Sequence, residues 1–326
     1  MSVSVIIPIY NVSKHIEKCL ISLFSQTLKD IEFIIVDDCS IDNSLEIIHN
    51  IINNYPSKRN LVKIIKHPVN LGVSSARNTA LLYSSKKYVG FVDADDWLEK
   101  DMYTSMYEAS VSNDIDFLWT DYYENYKHKQ IRKTQLFNDD RILLIEEMLG
   151  ENMIGAMWNK LIKKDLFISN NVKFSEGNNM CEDLRVCIEL LYYSKRRKYL
   201  PMSFYHYYKP EYGSLSMNIV RSKHLHQGWV NNILGIQDFL ESRSCKFNKR
   251  KLNHMKLACK NNLLLSSTSL KDLRNWASIF NEANVDILSS KAPMQSKILA
   301  YASYKNISIL VSLILILKKV KRKLNS

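Results

Sequence analysis

Residues 91–97 read Phe91-Val92-Asp93-Ala94-Asp95-Asp96-Trp97, three carboxylates within four positions at the end of an apolar run, 87–92, that reads as a buried β-strand. Burying charge without a partner is costly. Acids crowded at a strand's carboxyl end therefore face a crevice and a cation, which is where open α/β sheets bind ligands. A simpler alternative is a helix cap, with Asp95 or Asp96 opening a helical segment over 98–111. One cap uses one aspartate and leaves two unexplained. Hard oxygen donors at this spacing suit Mg²⁺ or Mn²⁺ shared with a diphosphate.

Upstream of this stretch, short β-like runs alternate with helical patterns, as a mostly parallel sheet requires. Strands are expected at 3–9, 33–36, 61–65 and 87–92. A helix capped by Ser13 carries Ile16, Cys19, Leu20, Leu23 and Phe24 at helical spacing. Asp42 or Ser44 opens a second with Leu45, Ile48, Ile51 and Ile52, stopped by Pro56, and a third covers 75–82 after a turn at Gly72. Downstream, strands are expected at 116–123 and 200–208 and helices at 141–149, 160–168 and 182–193. Helical periodicity then continues from about residue 218 almost to the end, which divides the chain into 1–217 and a helical region 218–326.

The chain has 326 residues and a formal charge of +12, a balance that suits nucleic acid, anionic lipid or a phosphorylated ligand. Its distribution favours lipid. Lys318, Lys319, Lys321, Arg322 and Lys323 cluster directly after the apolar run 307–317, whose eleven residues are too few to span the ~30 Å hydrocarbon core as a helix. Residues 307–326 therefore read as an interfacial anchor on an anionic cytoplasmic leaflet, the alternative being a core helix with a solvated tail. No nucleic-acid partner is expected. The six cysteines are scattered without metal-ligand or paired spacing, and residues 1–9 lack a signal-peptide pattern. The expected location is cytoplasmic, at the inner face of the cell membrane.

Strand ends of a parallel sheet share one edge, so Pro8-Ile9-Tyr10-Asn11, Asp37-Asp38-Cys39-Ser40 and Asp93-Ala94-Asp95-Asp96 should converge. Asp37 or Asp38 can accept from a base imide or ribose hydroxyl, or alternatively from local backbone donors, and Tyr10 offers a stacking face. No G-x-G-x-x-G follows the first strand, so a dinucleotide site is not indicated.

These motifs, with Asn70-Leu71-Gly72-Val73-Ser74-Ser75-Ala76-Arg77-Asn78, resemble those of family 2 glycosyltransferases with the GT-A fold, over roughly residues 1–215. Cys39 stands where that family usually has glycine and is expected to do little harm. The resemblance implies an α/β, Rossmann-like sheet with helices on both faces. It also implies a nucleotide half at about 1–100, an acceptor half at about 101–217, and a C-terminal helical extension. It implies inverting transfer of a sugar from a nucleotide-diphosphate donor, by default a UDP-sugar, to a glycan or polyprenyl-diphosphate-linked acceptor in surface-polysaccharide assembly. The nucleobase is expected near Pro8, Tyr10, Asp38 and Arg77, and the ribose and Mg²⁺ or Mn²⁺ at Asp93, Asp95 and Asp96, with either Asp95 or Asp96 as the inner ligand.

A displacement also needs a base near the acceptor oxygen. Cys181-Glu182-Asp183 follows a polar loop, opens an apolar helix and resembles the family's Glu-Asp motif, giving Asp183 as base and Glu182 as its orienting neighbour; acids complementing a helix dipole are the alternative. Trp158 and Lys160 of Trp158-Asn159-Lys160-Leu161 are candidates for acceptor or phosphate contact, with a buried aromatic equally open for Trp158. Lys209, after Tyr205-His206-Tyr207-Tyr208, is a phosphate candidate where arginine is more usual. Other functional classes that fit the composition are a nucleotidyltransferase and a catalytically inert basic protein binding membrane or nucleic acid.

Overall fold

The computed structural model describes residues 2–209, 223–309, 311–313 and 315–316. The expected 217/218 boundary and the basic cluster 318–323 lie outside them. The chain forms two compact units, residues 1–214 and 215–326.

The first unit begins β1 (Val3–Ile9), α1 (Ile16–Phe24), β2 (Ile31–Asp37), α2 (Ser44–Asn54), β3 (Val62–Lys66), α3 (Val73–Tyr83) and β4 (Tyr88–Phe91). It continues with β5 (Trp97–Leu98), α4 (Met102–Val111), β6 (Phe117–Asn125), β7 (Gln130–Lys133), α5 (Arg141–Leu149), β8 (Lys160–Lys163), α6 (Lys164–Ser169), α7 (Glu182–Tyr193) and β9 (Arg197–Tyr208). One nine-stranded sheet runs β3-β2-β1-β4-β8-β6-β9-β5, with β7 on β6. Strands β1 to β4 pair in parallel. They read as near-continuous apolar runs because a parallel sheet is covered on both faces. Strand β8 then inserts antiparallel between β4 and β6. Val5, Ile7, Phe33, Ile35, Leu20 and Leu23 lie in the main core, each such buried side chain contributing ~1.5–3 kcal/mol.

Three local expectations are corrected. Residues 160–163 were expected to open a helix but form β8, since pairing with two strands overrides local propensity. Helix α4 starts at Met102 behind Asp101, because Trp97 and Leu98 are taken up in antiparallel pairing with His206 and Tyr205. Neither Asp95 nor Asp96 is its cap. Ser13 does not cap α1, whose preceding residue is His15; the Ser13 N–H donates to Asp42 Oδ2 at 3.0 Å, while Asp42 Oδ1 accepts from the Ser44 N–H at 3.0 Å. Asp42 thereby ties together the turns that leave β1 and β2.

Both turns contain left-handed residues, Asn11 (φ 52°) and Cys39 (φ 64°). Asn11 uses its side chain to accept from the Ile41 N–H at 2.9 Å. Cys39 has no comparable compensation, its thiol lying 3.7 Å from the Pro68 carbonyl. A left-handed non-glycine residue costs roughly 1–2 kcal/mol. Cys39→Gly is therefore expected to stabilise the protein by about 1 kcal/mol, raising the thermal midpoint by roughly 2–4 °C. A midpoint that stays or falls would show that the turn is not strained.

The second unit is helical, with α8 (Lys223–Ser242), α9 (Lys249–Ser266), α10 (Leu270–Ser278) and α11 (Met294–Tyr304). Among the described residues no helix is long and apolar enough to cross a membrane.

Candidate active site

The carboxyl ends of β1, β2 and β4 lie side by side, as their parallel register requires. Tyr10 stands at this edge with 47% of its surface exposed, and Pro8, opposite Val36 in the register, is partly buried. Asp38 is buried and engaged by the protein itself. It is 3% exposed, and its carboxylate already accepts from His67 Nδ1 (2.7 Å), the Leu71 N–H (2.9 Å) and the Gly72 N–H (2.6 Å). The local-donor alternative thus describes Asp38, whose work is to fix the loop that starts α3. Gly72 (φ 88°) makes this start possible, since a Cβ there would fall 2.2 Å from Asn179 Nδ2.

The three aspartates after β4 have three different environments. Asp93 Oδ1 accepts from Arg77 Nη2 at 3.0 Å. Asp95 reaches solvent, and its carboxylate has no side-chain partner among the described residues; desolvation first and the Asp93 charge second push its pKa up to about 6. Asp96 is buried, with Oδ2 accepting from Tyr205 Oη at 2.7 Å and Oδ1 from the Tyr208 N–H at 2.7 Å. Tyr205 Oη in turn accepts from the Asp93 N–H at 3.1 Å. Asp96 therefore clamps β9 to the end of β4, and as a metal ligand it is corrected: both oxygens are engaged and enclosed. Burial, then Asp95 and Asp93, hold its carboxyl well above the usual carboxylate range.

Arg77, expected beside a nucleobase, is buried among carboxylates. Its 3%-exposed guanidinium donates to Asp93, to Glu182 Oε1 (2.8 Å) and to Asp183 Oδ1 (2.5 Å), with the Phe174 ring 5.4 Å away. It ties the strand-end acids to the first turn of α7. Asp183 Oδ2 accepts from the Met157 N–H at 3.3 Å. Desolvation raises the Asp183 pKa to about 7; Arg77 opposes the rise, while Glu182 and Asp93 add to it. The geometry is sensible because one guanidinium faces three carboxylates.

The weaker candidates are drawn into the scaffold. Trp158 stacks on Tyr205 (4.4 Å between ring centroids) and meets Tyr122 edge-on at 4.8 Å, so its faces are covered. Lys160 has no exposed surface and donates to loop carbonyls, and burial lowers its pKa. Lys209 pairs with Glu124 Oε1 at 3.2 Å on β6. Sequence reasoning missed Tyr205 as the Asp96 partner and the Met157 N–H as the Asp183 partner. Only an aromatic strand was visible for the first, and a backbone donor leaves no mark in sequence. Asp96→Ala is expected to lower stability by about 1–3 kcal/mol, because it orphans a buried hydroxyl and a strand N–H. Asp95→Asn should leave the midpoint unchanged or raised. Equal losses in thermal unfolding would contradict the division of roles.

Residues 4–169 match the family described as Glycosyl transferase family 2. The chain is 32% identical over 212 residues to the uncharacterized glycosyltransferase EpsJ of Bacillus subtilis strain 168, covering 63% of this chain and 60% of EpsJ. It is 28% identical over 236 residues to the minor teichoic acid biosynthesis protein GgaB of the same organism, covering 71% of this chain and 25% of GgaB. The crystal structure of S. aureus TarS 1–349 in complex with UDP-GlcNAc shares the fold, with a TM-score of 0.65 at 18% identity, covering 99% of this chain and 92% of that one. The chain belongs to glycosyl transferase family 2 and has the GT-A fold.

Proposed function

We propose that the protein is an inverting glycosyltransferase that moves a sugar from a nucleotide-diphosphate donor, by default a UDP-sugar, to a hydroxyl of a glycan acceptor, with Asp183 as the base. The observation that carries this reading is the Arg77 cluster, which unites a strand-end acid, Asp93, with the largely buried carboxylates of Glu182 and Asp183 that open α7. In a single displacement the acceptor oxygen attacks the anomeric carbon, the bond to the diphosphate oxygen breaks, and the acceptor proton passes to the carboxylate. A base near the working pH does this best. Asp183 meets that requirement, with a pKa of about 7. Glu182, held by the same guanidinium, keeps Arg77 and so Asp183 in place.

A divalent cation fits the donor side. Among the described residues no three His, Cys, Asp or Glu side chains converge on a metal by themselves. Magnesium-like cations are commonly held by one or two carboxylates with the remaining positions filled by substrate phosphates and water, and Asp95 presents such a carboxylate. When bound, Mg²⁺ or Mn²⁺ supplies Lewis-acid neutralisation of the departing diphosphate. Tyr10 offers its exposed face to the base of the nucleotide.

The similarity to GgaB, a minor teichoic acid biosynthesis protein, supports surface-polysaccharide assembly, and the charge of the chain supports work beside an anionic membrane on a polyprenyl-diphosphate-linked acceptor. Exposed Ile309, Leu313 and Ile316 are compatible with an interfacial segment.

The test is release of nucleoside diphosphate from a donor panel with Mn²⁺ and a glycan acceptor. Asp183→Asn should reduce transfer by about 10² or more with little change in donor affinity. The parent rate should rise about tenfold per pH unit up to about pH 7 and then level, since only ionised Asp183 accepts a proton. Asp95→Asn should weaken Mn²⁺-dependent donor binding. Parent-like transfer by Asp183→Asn would place the base elsewhere, and parent-like Mn²⁺ dependence in Asp95→Asn would remove the cation from this carboxylate.

A further inference from the structure

Lys160 has no exposed surface, and the reaction as proposed gives it no part. Its ammonium donates to the Ile154 carbonyl (3.0 Å), the Ala156 carbonyl (2.5 Å) and Asn159 Oδ1 (2.8 Å). An ammonium has three donors, and here all three are used, which is what makes burial of the charge tolerable. Every acceptor belongs to one short loop, 154–159, that enters β8.

That loop is placed with little freedom. The Asn159 amide donates to the Thr120 carbonyl on β6 at 2.7 Å. The Ile154 N–H donates to Gln135 Oε1 at 2.9 Å. Gly155 lies directly against the first turn of α7, where an added Cβ would come within 2.4 Å of Leu184 Cδ1 and 3.0 Å of its Cα. Between the gripped carbonyls and β8, the Met157 N–H points at Asp183 Oδ2 at 3.3 Å.

We infer that Lys160 is a positioning residue for the transfer reaction, holding the 154–157 loop on α7 so that the Met157 N–H fixes the Asp183 carboxylate and favours its ionised form. The inference rests on the reading of Asp183 as base and adds a residue to it. The charged and titratable groups facing Asp183 are Arg77 from α3, Asp93 from the end of β4, Glu182 and Cys187 from α7, and Lys160 itself from β8. Lys160 acts on Asp183 both by charge and through the loop, and the two contributions can be separated.

Lys160→Met removes the donors while keeping length and burial. Gly155→Ala keeps the ammonium and displaces the loop from α7. Both full-length variants are measured for transfer across pH 5–9 with a soluble acceptor, alongside Asp183→Asn, thermal melting and the donor KM. Lys160→Met is expected to lower transfer at pH 7 about fivefold and to move the ascending limb of its pH profile upward by about one unit, with the donor KM unchanged. Gly155→Ala should move the limb in the same direction with the ammonium intact, and it decides the matter if Lys160→Met does not fold. A limb left in place by Gly155→Ala, or by folded Lys160→Met, overturns the inference, as does a raised donor KM with an unmoved limb. Parent-like transfer by Asp183→Asn instead removes Asp183 as base, a failure of the underlying reading that the Lys160 result does not mimic.

Discussion

One guanidinium among three carboxylates is the constraint on which the rest of this site depends. Arg77 holds Asp93, Glu182 and Asp183 within hydrogen-bonding distance, so acids from two separate chain segments share a single cation. A desolvated arginine is tolerable only with such partners, and the partners are tolerable only with the arginine. Its position is set from a distance. Buried Asp38 anchors the loop that starts α3, and the close approach of Gly72 to Asn179 fixes that start against the segment before α7. The second turn of α3 then delivers Arg77 between the two sets of acids.

The same economy governs the aspartates after β4. Three carboxylates of one sequence motif take three tasks: Asp93 pairs with Arg77, Asp96 binds Tyr205 and the β9 backbone, and Asp95 meets solvent. Hydrogen-bond partners, rather than position in the motif, separate them. The clamp by Asp96 joins β9 to the parallel half of the sheet, and the Trp97–His206 stack at 5.1 Å continues it along β5. What holds the fold together and what faces the crevice are thus neighbours in sequence.

The parallel half of the fold was legible because its signals are local. The apolar run of β1 and the helical spacing in α1 can be read without knowing any partner, and α5 and α7 begin and end where periodicity places them. Strand β8 was not legible, since Lys160–Lys163 becomes a strand only by lying between β4 and β6. The site was legible as a set of acids converging on one sheet edge. Their partners were not, because Arg77 meets Glu182 and Asp183 across more than a hundred residues. Asp38 and Trp158 show the same limit from the other side: residue type suited a ligand, while burial and neighbours assigned them to the scaffold.

The most direct test of the central claim, that Arg77 sets the protonation of the proposed base, is the pH dependence of transfer in folded Arg77→Met. Without the guanidinium, Asp183 faces Glu182 and Asp93 unopposed, so its carboxyl must titrate higher. The ascending limb should move well above its parent position near pH 7, with transfer low at neutral pH and recovering toward alkaline pH. A limb that remains in place would contradict the claim that this arginine governs the base.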